Sequence, residues 1–406
     1  LKTPQHDHEA PIKMTTRGYV WANGQIGKSL EADGQPPIND IINTLTFEEG
    51  ATRVIDPIPD TVMHIYLSST VEELPTVLPE SLQSIGQMIM DGKARNLRSL
   101  PDSLPNSLTM LDIAWSTIEK LPATLPTNLN LLWCSFCKQL KSLPPILPSN
   151  LKQLRMNDSS ITELPELPDS LGYLYVDHTT LTSLPTLPSS LYLLDIRATK
   201  IEKLPALPAN LRILDCKDTK TLTELPILPP NLKYLDISST SITELPALPD
   251  SLKSLILNDT QVCKLPPLPN GLQELSIATT KITTLPYPLP ESLVILKCSE
   301  TNISYLPPFP KGLKTLYAAF LPLEDFPETP PGQFIHIVIH SYDISVKTHD
   351  ENSDTYLQRV RIALEFKKKK RMVQRCKQIK GDLMAVTWHT DRVLDWCDPK
   401  AFEYED

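Results

Sequence analysis

Glycine is scarce in this chain, 12 residues in 406, so disorder of the proline-glycine-serine kind does not fit its composition. Positive charge is also short. The 39 Lys and Arg stand against 48 Asp and Glu, a net charge of −9, which argues against nucleic-acid binding through a basic surface. No apolar run approaches the roughly 18 residues of a membrane-spanning helix, and the first residues lack a secretory pattern. Residue 1 is Leu rather than Met, which is consistent with a trimmed start. A glycine-rich phosphate loop and a paired-histidine metal motif are both missing, so neither cofactor nor metal is expected. Cysteine occurs at an odd count of seven, which suits a reducing compartment better than a closed disulfide framework.

What the chain has in abundance is proline, 40 residues. Many sit in Leu-Pro dipeptides that begin at Leu100, Leu121, Leu143, Leu164, Leu184, Leu204, Leu225, Leu245, Leu265, Leu285 and Leu306, spaced 20 to 22 residues apart. A period this sustained is the mark of a repeat architecture. Looser units surround Ile55 and Leu74, and Ile42 to Phe47 would open the array.

The unit from Leu171 to Pro185 shows the logic. Leu174 and Val176 are two apart, as a short strand with one buried face requires. Leu171, Leu181 and Leu184 would enter the same core from the flanking turns. One unit cannot bury these leucines alone, whereas stacked units bury them continuously. The other half, Leu-Pro-x-Leu-Pro, cannot be α-helical, because proline fixes φ and removes a donor. An extended polyproline-like path needs no internal hydrogen bonds. A hydroxyl column follows each strand: Thr70, Ser116, Ser159, Thr179, Thr199, Thr219, Thr240, Thr260, Thr280 and Thr301. It is expected to tie neighbouring turns together, and to be structural, not catalytic.

The motif Leu-x-x-Leu-x-Ile-x-x-Thr-x-Ile-x-x-Leu-Pro-x-Leu-Pro runs over about residues 100–310. It resembles the short repeats of leucine-rich-repeat effectors secreted by enteric bacteria, with Thr where those usually carry Asn. Early units such as Ile58-Pro59-Asp60-Thr61-Val62 resemble the FNIP-type repeats of amoebae and their giant viruses. The segment from Cys376 to Trp396, with Met384-Ala385, Trp388-His389, Arg392-Val393 and Trp396, resembles a C-terminal element of large DNA viruses of protists, with Thr390 where Pro is more usual. These resemblances imply a protein that engages host proteins from the host cytosol, with the nucleus or a virus particle as other locations.

The expected fold is therefore a leucine-rich-repeat solenoid: a curved parallel β-sheet with an extended polyproline-like convex side and a C-terminal α/β cap. Residues 1–37 would form a polar segment or cap, 38–333 the array, and 334–406 a strand-helix cap. Ile335, Ile337 and Ile339 alternate as in a strand, and Tyr342, Ile344 and Val346 continue the pattern. Asn352 or Ser353 can cap a helix through Leu357, Val360, Leu364 and Val373. A second, shorter helix would carry Met384, Trp388 and Trp396.

Enzyme chemistry finds little support. Some effectors with these repeats are ubiquitin ligases with a Cys-x-Asp nucleophile. Here the one such motif is Cys216-Lys217-Asp218, and Cys216 falls at a core strand position, where burial makes a thiol inert. Cys134 and Cys137 form a Cys-x-x-Cys with no second pair, and Cys134 also falls at a core position. His389 near Asp391 lacks a nucleophile. The run Lys367, Lys368, Lys369, Lys370 and Arg371 reads as a solvated helix surface, a nuclear-import signal or an anion patch.

The strand residues between the core pairs would line the concave face. The column runs Asp112, Trp133, Arg155, Tyr175, Asp195, Asp215, Asp236, Ile256, Ser276, Lys297 and Tyr317. Trp115, Phe136 and Tyr173 would lie beside it, and this aromatic group around Arg155 is the candidate site for a protein partner. The three successive aspartates either attract a cationic partner or are neutralised within the chain by Arg197 and Lys217. The leading reading is a monomeric, non-enzymatic protein-binding scaffold. A structural component of a virus particle and an effector enzyme with an activity in its tail are the alternatives.

Overall fold

A computed structural model describes residues 19–21, 42–46, 58–86, 95–328, 336–339 and 352–386. Compactness divides the chain into two units, residues 1–252 and 253–406.

In the first unit, β1 (Tyr19–Trp21) pairs antiparallel with β2 (Ile42–Thr46). Parallel strands then follow in chain order: β3 (His64–Tyr66), β4 (Ser84–Gly86), β5 (Met110–Asp112), β6 (Leu131–Trp133), β7 (Gln153–Arg155), β8 (Tyr173–Tyr175), β9 (Leu193–Asp195), β10 (Ile213–Asp215) and β11 (Tyr234–Asp236). In the second unit, β12 (Ser254–Ile256), β13 (Glu274–Ser276), β14 (Ile295–Lys297), β15 (Thr315–Tyr317) and β16 (His336–Val338) are parallel in the same way. The long helix α1 (Ser353–Val386) comes after them.

From β3 to β15 each strand is only three residues long because only its middle residue faces the core. Leu111, Leu132, Leu154, Leu174, Leu194 and Leu214 occupy that place and are fully buried. The residue just past the strand, Ile113, Cys134, Met156, Val176, Ile196 or Cys216, is buried as well. The first and third strand residues therefore share the open face of the sheet. The unit from Leu171 follows this plan, with Leu171, Leu174, Val176 and Leu181 buried and Leu184 half-buried.

The Leu-Pro half of each described coil carries no helix. Its second proline carbonyl accepts the amide three residues on, as in Leu171 N to Pro168 O and Leu211 N to Pro208 O, each 3.0 Å. That bond turns the chain back into the next strand.

The hydroxyl column behaves differently from the expectation. Thr179, Thr199, Thr240, Thr260, Thr280 and Thr301 each donate to the carbonyl three residues earlier in their own coil, at 2.7 to 2.9 Å. Thr219 differs, reaching Ile196 O of the preceding coil. Ser116 also crosses, its Oγ lying 3.3 Å from Cys137 Sγ of the next coil, so most of the column closes its own turn and two members bridge coils. A second column just before the first leucine also links coils, where Ser170 Oγ donates to Leu151 O and Ser190 Oγ to Leu171 O, both at 2.7 Å.

The turn so closed holds a residue with positive φ in eleven coils, and not one of the eleven is glycine: Trp115, Phe136, Asp158, His178, Ala198, Asp218, Ser239, Asp259, Thr279, Glu300 and Phe320. A left-handed conformation costs a residue with Cβ roughly 1–2 kcal/mol. It is held because its N–H meets the next coil, as in His178 N to Arg197 O at 2.7 Å and Ala198 N to Lys217 O at 2.8 Å.

α1 begins where the sequence places it. The side chain of Asn352 accepts from Thr355 N at 2.8 Å, an N-cap. Tyr356, Leu357, Val360 and Leu364 are buried. The Tyr356 hydroxyl accepts from Ile339 N and donates to Ile339 O, which satisfies both backbone groups beyond β16. One correction concerns Met384, which lies on this single helix and not on a shorter second one. Tyr342, Ile344, Val346, Trp388, His389 and Trp396 fall outside the described residues. None of the described helices is long and apolar enough to cross a membrane.

Candidate functional site

The parallel register lines up Asp112, Trp133, Arg155, Tyr175, Asp195, Asp215 and Asp236 on successive strands of the first unit. Strand neighbours lie ~4.8 Å apart, so these side chains meet. The Arg155 guanidinium carbon stands 5.0 Å from the Trp133 ring centre and 4.4 Å from that of Tyr175. Both distances are within cation–π range. With the Gln153 amide turned oxygen-first, its carbonyl oxygen accepts from Nε and Nη2 of Arg155.

Trp115 and Phe136 stack in parallel beside this group, ring centres 3.8 Å apart and 7° from coplanar. Both occupy the positive-φ turn position, which throws their side chains to the edge of the open face. A notch of about 150 Å³ lies between the two groups, lined chiefly by Asp112, Trp115, Trp133, Ser135, Phe136 and Arg155. The Trp133 Nε1 is buried without a hydrogen-bond partner. Burial raises the Asp112 carboxyl above its ordinary range, opposed by the amide of Ala114 and by the charges of Arg95 and Arg155.

Trp133, Arg155 and Tyr175 are half-buried, less exposed than unsupported side chains would be, because the three cover one another. Tyr173 is more open and tilts against Tyr192 at 5.6 Å, and Arg212 lies 5.3 Å from the Tyr192 ring. Sequence reasoning missed Tyr192 and Arg212, which precede their strands by one residue and so escape a count of strand positions.

The acidic part is organised around one cation. Arg197 grips Asp195 through two bonds, Nε to Oδ1 at 2.9 Å and Nη2 to Oδ2 at 2.7 Å. It also reaches Asp177 at 3.6 Å and Asp215 at 3.5 Å. Lys217, the other expected neutraliser, contributes only its backbone N–H to Asp215, at 3.1 Å. Asp177 was not anticipated; it sits two residues past Tyr175, as Arg197 does past Asp195. Desolvation, then the charge of Asp195, pushes the Asp177 carboxyl up to about 6. Desolvation, with the charges of Asp195 and Asp236, pushes Asp215 up to about 7.

The four core cysteines offer no nucleophile. Cys134, Cys137, Cys216 and Cys298 are buried, and burial raises all four thiols, Cys298 to about 12. A buried thiol with a raised pKa is inert. Among the described residues no group of three His, Cys, Asp or Glu could hold a metal ion. In the second unit the basic run lies on α1, where Lys368, Lys369, Lys370 and Arg371 are exposed and Arg371 pairs with Glu324 at 3.0 Å.

No family model and no curated protein sequence matches this chain. Solved structures do. YopM from Yersinia enterocolitica is 29% identical with a TM-score of 0.50, over 71% of this chain and 80% of that one. YopM of Yersinia pestis, described as a leucine-rich effector protein, is 29% identical with a TM-score of 0.58, over 68% of this chain and 83% of that one. A leucine-rich-repeat protein of Leptospira interrogans is 23% identical with a TM-score of 0.50, over 65% and 79%. The fold is a leucine-rich-repeat solenoid. In the first unit of this solenoid, the open face carries an aromatic group around one arginine and, two strands on, an acidic group around another.

Proposed function

We propose that the chain is a non-enzymatic scaffold whose open sheet face docks a partner protein around Trp133, Arg155 and Tyr175. The carrying observation is the guanidinium held between two aromatic rings on adjacent strands, at 5.0 and 4.4 Å. None of the three belongs to the leucine core, so the repeat's own packing does not require them. Trp, Tyr and Arg are the side chains that dominate binding energetics when desolvated, and a rigid set loses little entropy on binding. The likeness to a leucine-rich effector supports an effector-like role inside a host cell.

The test replaces Trp133, Arg155 and Tyr175 together by Ala in the full chain. The melting temperature should change little, because the core leucines are untouched. Partner proteins recovered from host lysate, identified by mass spectrometry at matched salt, should fall by about thirtyfold or more, equivalent to ~2 kcal/mol. Recovery of the same partners at the same level by the folded variant overturns this reading and directs attention to the Leu-Pro side or to α1.

A further inference from the structure

The open face of the first unit carries two arginines in contrasting states. Arg197 is saturated by three carboxylates, those of Asp177, Asp195 and Asp215. Arg155, two strands earlier, has none: among the described residues no carboxylate lies within 4.0 Å of its nitrogens, and its one polar partner is the neutral Gln153 amide. Its plane is fixed by the rings of Trp133 and Tyr175. Its Nε and Nη2 face the Gln153 oxygen, and Asp112 acts on it only by charge from beyond 4.0 Å, so the Nη1–Nη2 end of this oriented guanidinium remains for a planar anion, which it recognises by two parallel bonds.

Resting on the proposed docking face, we propose that Arg155 receives an aspartate or glutamate side chain of the partner, seated in the adjoining notch. The notch, about 150 Å³, is of a size for one small side chain. Trp115, Phe136 and Trp133 give it apolar walls, and a partner that covers them shuts out water, which strengthens a charge-assisted bond. The Asp112 carboxyl lines the same notch and selects among anions. A phosphoryl dianion placed there meets about twice the repulsion a carboxylate meets. Arg95, whose charge acts on Asp112, tempers that repulsion. The partner therefore presents a carboxylate, with apolar neighbours that cover the rings.

Random twelve-residue peptides displayed on phage and selected against the full chain provide the probe. Those that lose binding to the Trp133→Ala or Tyr175→Ala variant report on this face. They should be enriched in Asp or Glu. Changing that acid to Asn or Gln should weaken Kd at least tenfold with the wild-type chain, and less than twofold with Arg155→Gln. Arg155→Lys, which keeps charge but loses the fork, should fall between. Arg155→Glu should select peptides with Lys or Arg instead. Far-UV circular dichroism and melting confirm that each variant is folded. Peptides that depend on Trp133 or Tyr175 but carry no required acid overturn the carboxylate assignment and leave the face standing. Peptides that depend only on a phosphorylated residue, when phosphopeptides are added to the panel, overturn it also. A selection that yields no peptide dependent on either ring overturns the docking face itself.

Discussion

Replacing Arg197 by Met removes the one cation that holds three carboxylates of the first unit together. Methionine keeps much of the aliphatic stem, so the change is chiefly one of charge. Asp177 and Asp195 keep less than a tenth of their side-chain surface, and Asp215 18%, so the ions left behind are poorly hydrated. Two like charges ~5 Å apart repel by roughly 3 kcal/mol at an effective dielectric of 20. Breaking a buried pair by deleting one partner costs about 3–5 kcal/mol. Arg197 itself is 40% exposed, and solvent screens part of that. The expected loss is about 3 kcal/mol at pH 8.

The pH dependence separates this mechanism from lost packing. Asp177 at about 6 and Asp215 at about 7 both lie above the 3.8 of the free carboxyl. The folded state therefore holds more protons than the unfolded one between about pH 4 and 7, and stability falls as pH rises through that window. Arg197 lowers both carboxyls, so in Arg197→Met they rise further and the fall becomes steeper and extends to higher pH. The variant's deficit should be largest at pH 8 and shrink by at least half at pH 5, where the two are protonated. Urea midpoints at the two pH values measure it, read from tryptophan fluorescence, since a repeat array need not unfold in one step. Adding Asp215→Asn to Arg197→Met should restore stability at pH 8. A deficit below 1 kcal/mol at pH 8, or one equal at both pH values, refutes the account.

Thr279, a β-branched residue at φ 55°, should be relieved by Thr279→Asn, with a gain of about 1 kcal/mol in a melting experiment, because asparagine tolerates the left-handed conformation and the bond from N–H to Ser299 O is kept. A lower melting temperature would show that the Thr279 side chain contributes something the turn needs. Native-state labelling with a thiol reagent should modify exposed Cys263 rapidly and leave buried Cys216 untouched at pH 8. Fast loss of the Cys216 thiol in folded protein would contradict its placement.

The repeat and its core were legible because leucine spacing alone sets which residues face inward. Leu174 and Val176, read as a buried pair, are both fully buried, and Ile337 sits in a strand paired to β15 as the alternation from Ile335 implies. The left-handed turn was not legible. Its occupants, from Trp115 and Phe136 to Ala198 and Glu300, share no chemistry, because a backbone N–H bonded to the next coil imposes the conformation whatever side chain it carries. Glycine would have marked the position, and this chain does without it.

The candidate site was legible as a column and not as a set of charges. Period-two alternation placed Trp133, Arg155 and Tyr175 side by side, and the register confirms that adjacency. It named Arg197 and Lys217 as internal neutralisers of the aspartates but did not decide between them and a cationic partner. Arg197 stands two residues past Asp195 in its own coil, close enough to fold back onto that carboxylate, and Asp177 and Asp215 flank it from the coils on either side. Arg155 has Gln153 at the corresponding distance before it and rings on both neighbouring strands. The difference between a guanidinium enclosed by carboxylates and one flanked by rings therefore rests on what stands two residues away and one coil across. A one-dimensional reading sees the first of these, and only the stacked coils supply the second.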